Sequence, residues 1–361
     1  MTKRVFNFSA GPGVLPLDVL KEAQEDFLSY KGHGLNVMEM SHRSKVYDDI
    51  FNSAKEDLRK LLDINDNYEI LFLQGGATLQ FSMVALNLMT KNKKADYILT
   101  GGWSKKAVKE AKRVGAVNVA GTSEEANFNF IPKQEDLKLD PEADYVHFTS
   151  NNTLYGTAWK TEPEVGNVPL VCDTSSDMLS RKIDVNKYAL IYAGAQKNMG
   201  PAGTALVIIR KDMLERSSDE LHTYLNYQVH VNGKSMYNTP ATYTVYMMGL
   251  VYKWLLNNGG LDAMYKKNVE KANLLYDAID NSNGFYKGHA KVEDRSLMNV
   301  CFNLETPELE KEFVEGSIEK GMLNLKGHRS VGGIRASIYN AFPTEGVEAL
   351  VEYMNEFKNK H

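Results

Sequence analysis

The stretch from residue 188 to residue 210 constrains the fold most, because two apolar runs there flank one short polar turn. Residues 188–192 and 204–209 are rich in Ile, Val, Leu and Tyr, which predicts two buried strands. Lys197 lies in the turn between them. A lysine that follows a buried strand lies at the floor of a cleft, where burial and nearby positive charge lower the pKa of its amine. Such an amine is a nucleophile toward aldehydes. An isolated lysine in a turn would instead be interpreted as an ordinary turn residue with no chemical role.

A further apolar run, residues 169–172, ends in Asp173 and is followed by small hydroxyl residues. An acid at the end of one parallel strand and a lysine at the end of a neighbouring strand suit one cofactor, pyridoxal phosphate. The lysine forms a Schiff base with the cofactor aldehyde, and the carboxylate keeps the pyridine nitrogen protonated, so the ring withdraws electrons. Asp173 alone is equally compatible with a helix cap or a turn.

Strands and helices alternate through the first half of the chain, which predicts an α/β fold with a mostly parallel sheet. Strands are predicted at 68–73, 95–100 and 145–149, and helices at 16–29, at 45–62 and after residue 78. In such sheets, ligands bind beyond the carboxyl ends of the strands. Five candidate groups follow predicted strand ends: Gly76, Trp103, Thr153, Asp173 and Lys197. We therefore expect one ligand site at this edge of the sheet.

Two of these groups have more than one interpretation. The pair Gly75-Gly76 lies between a strand and a helix, where free N–H groups and the helix dipole favour an anion, although a double glycine often serves packing alone. It is not the GxGxxG fingerprint of a dinucleotide site. Trp103 follows another double glycine, and its flat ring suits either stacking on a cofactor or packing in the core.

The C-terminal part of the sequence predicts a second, smaller α/β domain. Thr239 as N-cap and Pro240 at the first helical position predict a helix to residue 257, which closes at Gly259-Gly260. Strands are then predicted at 297–303 and 333–338, and helices at 261–280, 308–320 and 344–357. We predict an N-terminal arm over 1–15, a large domain over 16–258 and a small domain over 259–361.

The composition is that of a soluble globular protein, with 43% hydrophobic and 24% charged residues. A formal net charge of -4 argues against nucleic acid or an anionic membrane as a partner. No bilayer-spanning apolar window and no signal-peptide core are evident, so a cytoplasmic location is expected. Cys172 and Cys301 lie in apolar runs and are interpreted as buried thiols of a reducing compartment, not as a disulfide or a metal site.

Basic residues form two short pairs, His42-Arg43 and His328-Arg329, each compatible with an ordinary solvated loop. Arg335 is more informative because it lies in a predicted strand, and a buried arginine needs an anionic partner.

Eight motifs, taken in order, carry a resemblance that covers essentially the whole chain. They are FNFSAGPG (6–13), MSHRS (40–44), QGGAT (74–78), GGWS (101–104), NNT (151–153), AQKNMGPAG (195–203), NTP (238–240) and GHRSVGGIRAS (327–337). With these motifs, the chain resembles the class V aminotransferases, which are pyridoxal-phosphate enzymes of fold type I. The resemblance implies a large domain with a seven-stranded, mostly parallel sheet, a smaller C-terminal domain, and a homodimer whose subunits share their active sites.

The resemblance also assigns roles around pyridoxal phosphate. It implies that Lys197 binds the cofactor covalently and moves the substrate proton, while Asp173 pairs with the pyridinium. Thr153 would bond the phenolic oxygen and Trp103 would stack on the ring. The cofactor phosphate would be held by Gly76, Ala77 and Gln196, and by Asn238 and Thr239 of the partner subunit.

The implied reaction moves an amino group between O-phosphoserine and 2-oxoglutarate, giving 3-phosphohydroxypyruvate and glutamate in serine biosynthesis. Some relatives also use 4-phosphohydroxythreonine in pyridoxine biosynthesis, and the sequence leaves this second substrate open. Arg335 would bind the α-carboxylate; the remaining substrate-binding residues would be Ser9, His42, Arg43, His328 and Arg329, with His42 and Arg43 coming from the partner. Some relatives have an arginine where this chain has Ala77, so its phosphate pocket would have one cation fewer.

Two other functions are each compatible with only part of the sequence. A cysteine desulfurase or lyase would use the same cofactor but needs an exposed reactive thiolate, which Cys172 and Cys301 do not offer. A nucleotide-binding or scaffold protein would use the glycine turn but would leave Asp173, Lys197 and Arg335 unexplained.

Overall fold

The computed structural model describes residues 4–329 and 331–361, so Ser330 of the last motif lies outside the described residues. The α-helices are α1 (Leu17–Glu25), α2 (Lys45–Leu62), α3 (Gly76–Leu88), α4 (Gly102–Ala111), α5 (Lys211–Leu214), α6 (Tyr227–Asn232), α7 (Thr242–Asn257), α8 (Gly260–Asp280), α9 (Pro307–Glu319) and α10 (Thr344–Lys360). The strands are β1 (Phe6–Asn7), β2 (Tyr68–Leu73), β3 (Lys94–Leu99), β4 (Ala116–Thr122), β5 (Val146–Thr149), β6 (Asn151–Asn152), β7 (Thr157–Ala158), β8 (Leu170–Asp173), β9 (Leu190–Gly194), β10 (Ala205–Arg210), β11 (Lys287–Gly288), β12 (Asn299–Asn303), β13 (Met322–Leu323) and β14 (Ile334–Ser337).

A seven-stranded sheet forms the centre of the molecule, in the order β2-β10-β9-β8-β5-β3-β4. Strand β10 is antiparallel to both of its neighbours, and the other adjacent pairs are parallel. The predicted α/β class and mostly parallel sheet are therefore confirmed. The strands that precede Asp173 and Lys197, β8 and β9, are direct neighbours, with Asp173 opposite Tyr192.

The two faces of this sheet explain why its central strands are apolar throughout. Alternate residues of each strand enter two different core clusters: in β9, Ile191 belongs to one and Leu190 and Tyr192 to the other. Helices cover both faces, so neither face of a central strand needs polar side chains. Strand β4 was not predicted, because it lies at the sheet edge, where six of its seven residues are not buried and its sequence forms no apolar run.

Local capping explains why the observed bounds of α2 are the same as the predicted bounds, 45–62. Helix α2 begins after Ser44, whose Oγ accepts a hydrogen bond from the Tyr47 N–H at 3.2 Å, and ends at Asp63 in the left-handed conformation. Helix α1 is shorter than predicted. It ends at Glu25, and the side chain of Asp26 then accepts from the Lys31 N–H, which turns the chain away from the helix axis.

The predicted N-cap at Thr239 and helical Pro240 are wrong, because α7 begins only at Thr242. Gln74 holds the preceding loop: its Nε2 donates to the Thr239 carbonyl at 3.3 Å, and its Oε1 accepts from Asn238 Nδ2 at 2.8 Å. The proline also restricts the residue before it to extended backbone. This tertiary contact and this steric limit together delay the start of the helix by two residues, from Pro240 to Thr242.

The C-terminal part has its own antiparallel sheet, β11-β12-β14, with helices α8 to α10 around it and a separate apolar core. Helix α8 contributes Leu261 to the core of the large sheet and Leu275 to the C-terminal core. The arm at the N-terminus docks here as well, since β1 pairs in parallel with β13 and Phe8 is buried in the same core. Among the described helices, none is long and apolar enough to cross a membrane.

Candidate active site

A cavity of about 120 Å³ opens beyond the carboxyl ends of the central strands. We call it the strand-end cavity. Seven of the predicted site residues line it: Gly76, Ala77, Trp103, Thr153, Asp173, Gln196 and Lys197. Six further lining residues were not predicted as site residues: Thr78, Phe81, Thr149, Asn151, Ser175 and Ser176. The same rule that selected Asp173, a position at or just after a strand end, would also have selected Thr149 and Ser175.

Lys197 occupies the turn after β9 and is only 9% exposed. Its Nζ donates a hydrogen bond to Thr153 Oγ1 at 2.7 Å. Burial lowers the pKa of this amine to about 8; the negative charge of Asp173 opposes that change, and the positive charge of Arg335 adds to it. Near neutral pH, part of the Lys197 population is therefore the uncharged, nucleophilic amine.

Asp173 is the last residue of β8 and is buried, and its Oδ1 accepts a hydrogen bond from the Ser175 N–H at 2.9 Å. Burial raises the pKa of Asp173, while the bond to Ser175 and the charge of Lys197 partly offset that increase. Asp177 is a second carboxyl nearby. It accepts from Ser150 Oγ at 2.5 Å, and burial raises its pKa to about 6. A cationic partner for Asp173 inside the cavity would stabilise its charged form.

The start of α3 forms one wall of the cavity and presents backbone N–H groups. Gly75 has φ 88° and Gly76 has φ 61°, which favours glycine at both positions. A Cβ at Gly75 would lie 2.5 Å from the Leu79 side chain, whereas one at Gly76 would meet nothing within 4 Å. The open space in front of Gly76, at a helix N-terminus, suits a phosphate.

Trp103 forms another wall, with the Lys197 Nζ 5.9 Å from its ring centroid. The Nε1 of Trp103 and the Oγ1 of Thr149 are buried, and neither has a hydrogen-bond partner among the residues that the structure describes. Buried polar atoms are normally paired. An aromatic wall and unpaired polar atoms around one cavity fit a flat, polar ligand such as a pyridine ring.

A buried polar network joins the cavity to the C-terminal sheet. Asn151 Nδ2 donates to Ser176 Oγ at 2.7 Å and to Asn299 Oδ1 at 2.8 Å, and Asn299 Nδ2 donates to Ser337 Oγ at 3.0 Å. Asn299 lies on β12, so the network crosses from the large sheet to the C-terminal sheet. Sequence reasoning missed this link because Asn151 and Asn299 are 148 residues apart.

The N-terminal arm closes one side of the site. The Gly13 N–H donates to the Gln196 carbonyl at 2.7 Å, and the Tyr339 hydroxyl donates to the Ala10 carbonyl at 2.6 Å. Ser9 lies in this arm and is half-buried, and its Oγ accepts from the Gly11 N–H at 3.4 Å.

The remaining predicted site residues do not line the strand-end cavity of their own chain. Asn238 and Thr239 are exposed and are held by Gln74, and Arg43 and Arg329 are exposed. His42, His328 and Arg335 are half-buried. His42 Nε2 and Arg335 Nε have no hydrogen-bond partner within residues 4–329 and 331–361.

Both cysteines are buried and free, as expected. Burial raises the pKa of the Cys172 thiol well above its ordinary range and that of the Cys301 thiol to about 12. Neither can act as the exposed thiolate of a desulfurase. No group of three or more His, Cys, Asp or Glu side chains in the described part of the chain is arranged to hold a metal ion.

An α/β sheet with a buried lysine and a buried acid at one strand-end cavity defines an enzyme fold of the pyridoxal-phosphate type. The family model described as aminotransferase class-V matches residues 5–350, so the chain belongs to the class-V aminotransferase family.

Three proteins similar to this chain are phosphoserine aminotransferases. The phosphoserine aminotransferase of Lysinibacillus sphaericus (strain C3-41) is 52% identical over 361 residues, covering 100% of both chains. The solved phosphoserine aminotransferase from Bacillus circulans subsp. alkalophilus is 48% identical, with a TM-score of 0.98 over 99% of both chains. A solved phosphoserine aminotransferase from Trichomonas vaginalis with bound PLP is 40% identical, with a TM-score of 0.93 over 98% of this chain and 100% of that chain.

Proposed function

We propose that the chain is a pyridoxal-phosphate-dependent aminotransferase that moves an amino group between O-phosphoserine and 2-oxoglutarate, giving 3-phosphohydroxypyruvate and glutamate. The observation that carries this proposal is the buried Lys197 amine, bonded to Thr153 Oγ1 at 2.7 Å in the same cavity as the buried Asp173. The names of the full-length relatives support the substrate class.

Pyridoxal phosphate, when bound, withdraws electrons from the substrate Cα so that its proton can leave. Lys197 Nζ holds the cofactor and then accepts and returns that proton, for which a pKa near 8 is well matched to neutral pH. Asp173 keeps the ring nitrogen protonated, and that cation in turn offsets the cost of burying the carboxylate. Thr153 Oγ1 accepts the hydrogen bond of the Lys197 amine at 2.7 Å and would bond the phenolic oxygen of the bound cofactor.

The walls of the cavity position the cofactor. Trp103 offers its ring face, and the first turn of α3 at Gly76 and Ala77, together with Gln196, binds the phosphate. Within the binding site, Arg335 binds the substrate α-carboxylate, which would pair the Nε that lacks a partner among the described residues.

We also propose that two chains form a homodimer and complete each other's sites. Asn238 and Thr239 would reach the partner's cofactor phosphate, and His42 and Arg43 the partner's substrate. The exposure of Asn238, Thr239 and Arg43 supports this arrangement, and His42, which is half-buried, is assigned together with its neighbour Arg43. Ser9, His328 and Arg329 would bind the substrate from within the subunit. We further propose a cytoplasmic location, which the two free, buried thiols support. The use of 4-phosphohydroxythreonine as a second substrate stays a prediction.

Lys197→Ala tests the assignment, with exposed Lys187→Ala as the matched control. Borohydride reduction of the wild type should fix the cofactor mass on the peptide that contains Lys197, and the control should behave alike. Turnover of phosphoserine in Lys197→Ala should fall by at least ~100- to 10,000-fold, because the variant loses its proton-transfer group. Near-normal turnover in this variant, or cofactor mass on another lysine, would disprove the role of Lys197. Equal use of serine and phosphoserine by the wild type would disprove the substrate.

A further inference from the structure

Lys106 lies beside the strand-end cavity and was not among the predicted site residues. It follows Trp103 by three residues in α4, so both side chains leave the same face of the helix. The Lys106 Nζ lies 4.1 Å from the centroid of the Trp103 ring, and the Lys197 Nζ lies 5.9 Å from the same centroid. One indole ring therefore contacts both the cavity and this second lysine.

The positive charge of Lys106 is not neutralised by an ion pair with any described residue. Its neighbour Lys105 pairs with Glu124, and Arg113, just past α4, pairs with Glu110 at 3.4 Å. Lys106 is exposed and makes a cation–π contact with a neutral ring instead. Such a contact at an exposed site is weak, so an incoming anion can displace it.

Lys106 also shares its surroundings with the basic residues of the C-terminal loop. The pKa of His328 is lowered first by burial and then by the positive charges of Arg335, Arg329 and Lys106. Val331, which follows this loop, and Trp103 both pack against the same core cluster. The charges of Lys106 and two arginines thus act on one histidine, in a chain whose formal net charge is -4. Clustered positive charge of this kind indicates an anion site.

The cavity lining itself offers little charge for a second phosphate. Lys197 is the only basic side chain among the lining residues, and Ala77 brings no charge to the first turn of α3. A phosphate monoester has a charge of about -1.5 to -2 and three acceptor oxygens. Cations just outside the lining residues must therefore balance the phosphate of the substrate.

We propose that Lys106 is a specificity-determining residue whose ammonium binds the distal anion of the substrate and favours the phosphate of phosphoserine over the γ-carboxylate of glutamate. This inference rests on the function proposed above. Phosphate has more charge and one more acceptor oxygen than a carboxylate, so an additional cation stabilises it more. The flexible four-carbon stem of a lysine lets the ammonium move from the Trp103 ring to the entering anion.

Steady-state kinetics of the holoenzyme test this with Lys106→Met, Lys106→Arg and the adjacent exposed Lys105→Met. In Lys106→Met, kcat/KM for phosphoserine should fall roughly 10- to 100-fold, the usual worth of a hydrogen bond between charged groups. The loss should appear in KM rather than kcat, and the loss for glutamate should be several-fold smaller. Lys106→Arg should restore most of the phosphoserine activity, and Lys105→Met should match the wild type.

Equal losses for both amino acids in Lys106→Met, or the same loss in Lys105→Met, would overturn the proposal. A wild type that does not use phosphoserine would instead contradict the proposed function. In that case, inorganic phosphate as an inhibitor of glutamate turnover still tests Lys106. Inhibition that weakens in Lys106→Met alone would support the anion site, and unchanged inhibition would overturn it.

Discussion

Lys271 is a buried lysine whose removal should change stability in a pH-dependent way. It lies on α8, is 1% exposed, and its Nζ donates to the carbonyl groups of Ile338, Tyr339 and Phe342 at 3.1, 2.7 and 3.2 Å. A fourth carbonyl, that of Asn340, lies at 3.5 Å. We call residues 338–342 the clamped turn.

Two opposing contributions decide the effect of Lys271→Met. Burial, with a smaller contribution from the charge of Lys267, lowers the pKa of Lys271 from the usual 10.5 to about 7. That fall corresponds to about 5 kcal/mol of destabilisation when the amine is charged. Removing the amine relieves this cost but leaves carbonyl oxygens of the clamped turn without a donor, at about 1–3 kcal/mol each.

The sign of the pH dependence follows from proton binding. Between pH 7 and 10.5 the unfolded chain binds a proton at Lys271 that the folded chain has largely lost, so wild-type stability rises with pH in this window. The cost of the charged amine therefore falls by up to about 3 kcal/mol between about pH 7 and about pH 9.5. Lys271→Met has no such gain, so its destabilisation relative to the wild type should grow with pH and exceed about 2 kcal/mol at the higher pH.

Urea unfolding of both holoenzymes at the two pH values measures this difference, with exposed Lys266→Met as the control for surface charge. The control should differ from the wild type by the same small amount at both values. A Lys271→Met variant that is equally stable at both values, or that gains stability relative to the wild type as pH rises, would refute the reasoning.

Three other outcomes are expected for the active site. Asp173→Asn should slow single-turnover Cα deprotonation strongly while the cofactor still binds, because a neutral amide cannot hold the ring nitrogen protonated; unchanged kinetics would mean that another group contacts that nitrogen. Arg329→Ala should lower kcat/KM more for phosphoserine than for glutamate, whereas Arg335→Ala should lower both alike; equal losses in Arg329→Ala would show that this arginine does not distinguish phosphate. Mixing inactive Lys197→Ala and Arg43→Ala chains should restore some activity through a heterodimer; exchange confirmed by mass without activity would place Arg43 in its own subunit's site.

Sequence patterns located the parts of the fold that depend on neighbours in the chain. Helix α2 matched its predicted bounds because Ser44 and Asp63 cap it locally. The start of α7 did not, because Gln74, more than 160 residues away, binds Asn238 and Thr239. The antiparallel direction of β10 could not be predicted from the sequence either, because an apolar run such as 205–210 does not determine the direction in which the strand pairs.

The same distinction applies to the strand-end cavity. Lys197, Asp173 and Trp103 were found because each follows a strand that is visible in the sequence, and strand ends meet at one edge of the sheet. Asn151 and its bond to Asn299 depend on how two sheets face each other, which no local pattern records. Lys106 was missed because exposed lysines on helices are common, and only its distance to Trp103 singles it out.

The docking of the N-terminal arm has a consequence for the synthesis of the chain. Strand β1 pairs with β13, and Ala10 accepts its hydrogen bond from Tyr339, 329 residues later. The arm can therefore dock fully only after these later residues have been made, although Gly13 lies against Gln196 beside Lys197. A ribosome-bound chain that stops before Met322 should have its large sheet formed and its arm still open to proteases. The wall of the binding site that the arm supplies is thus completed only after residues 322–339 have been made.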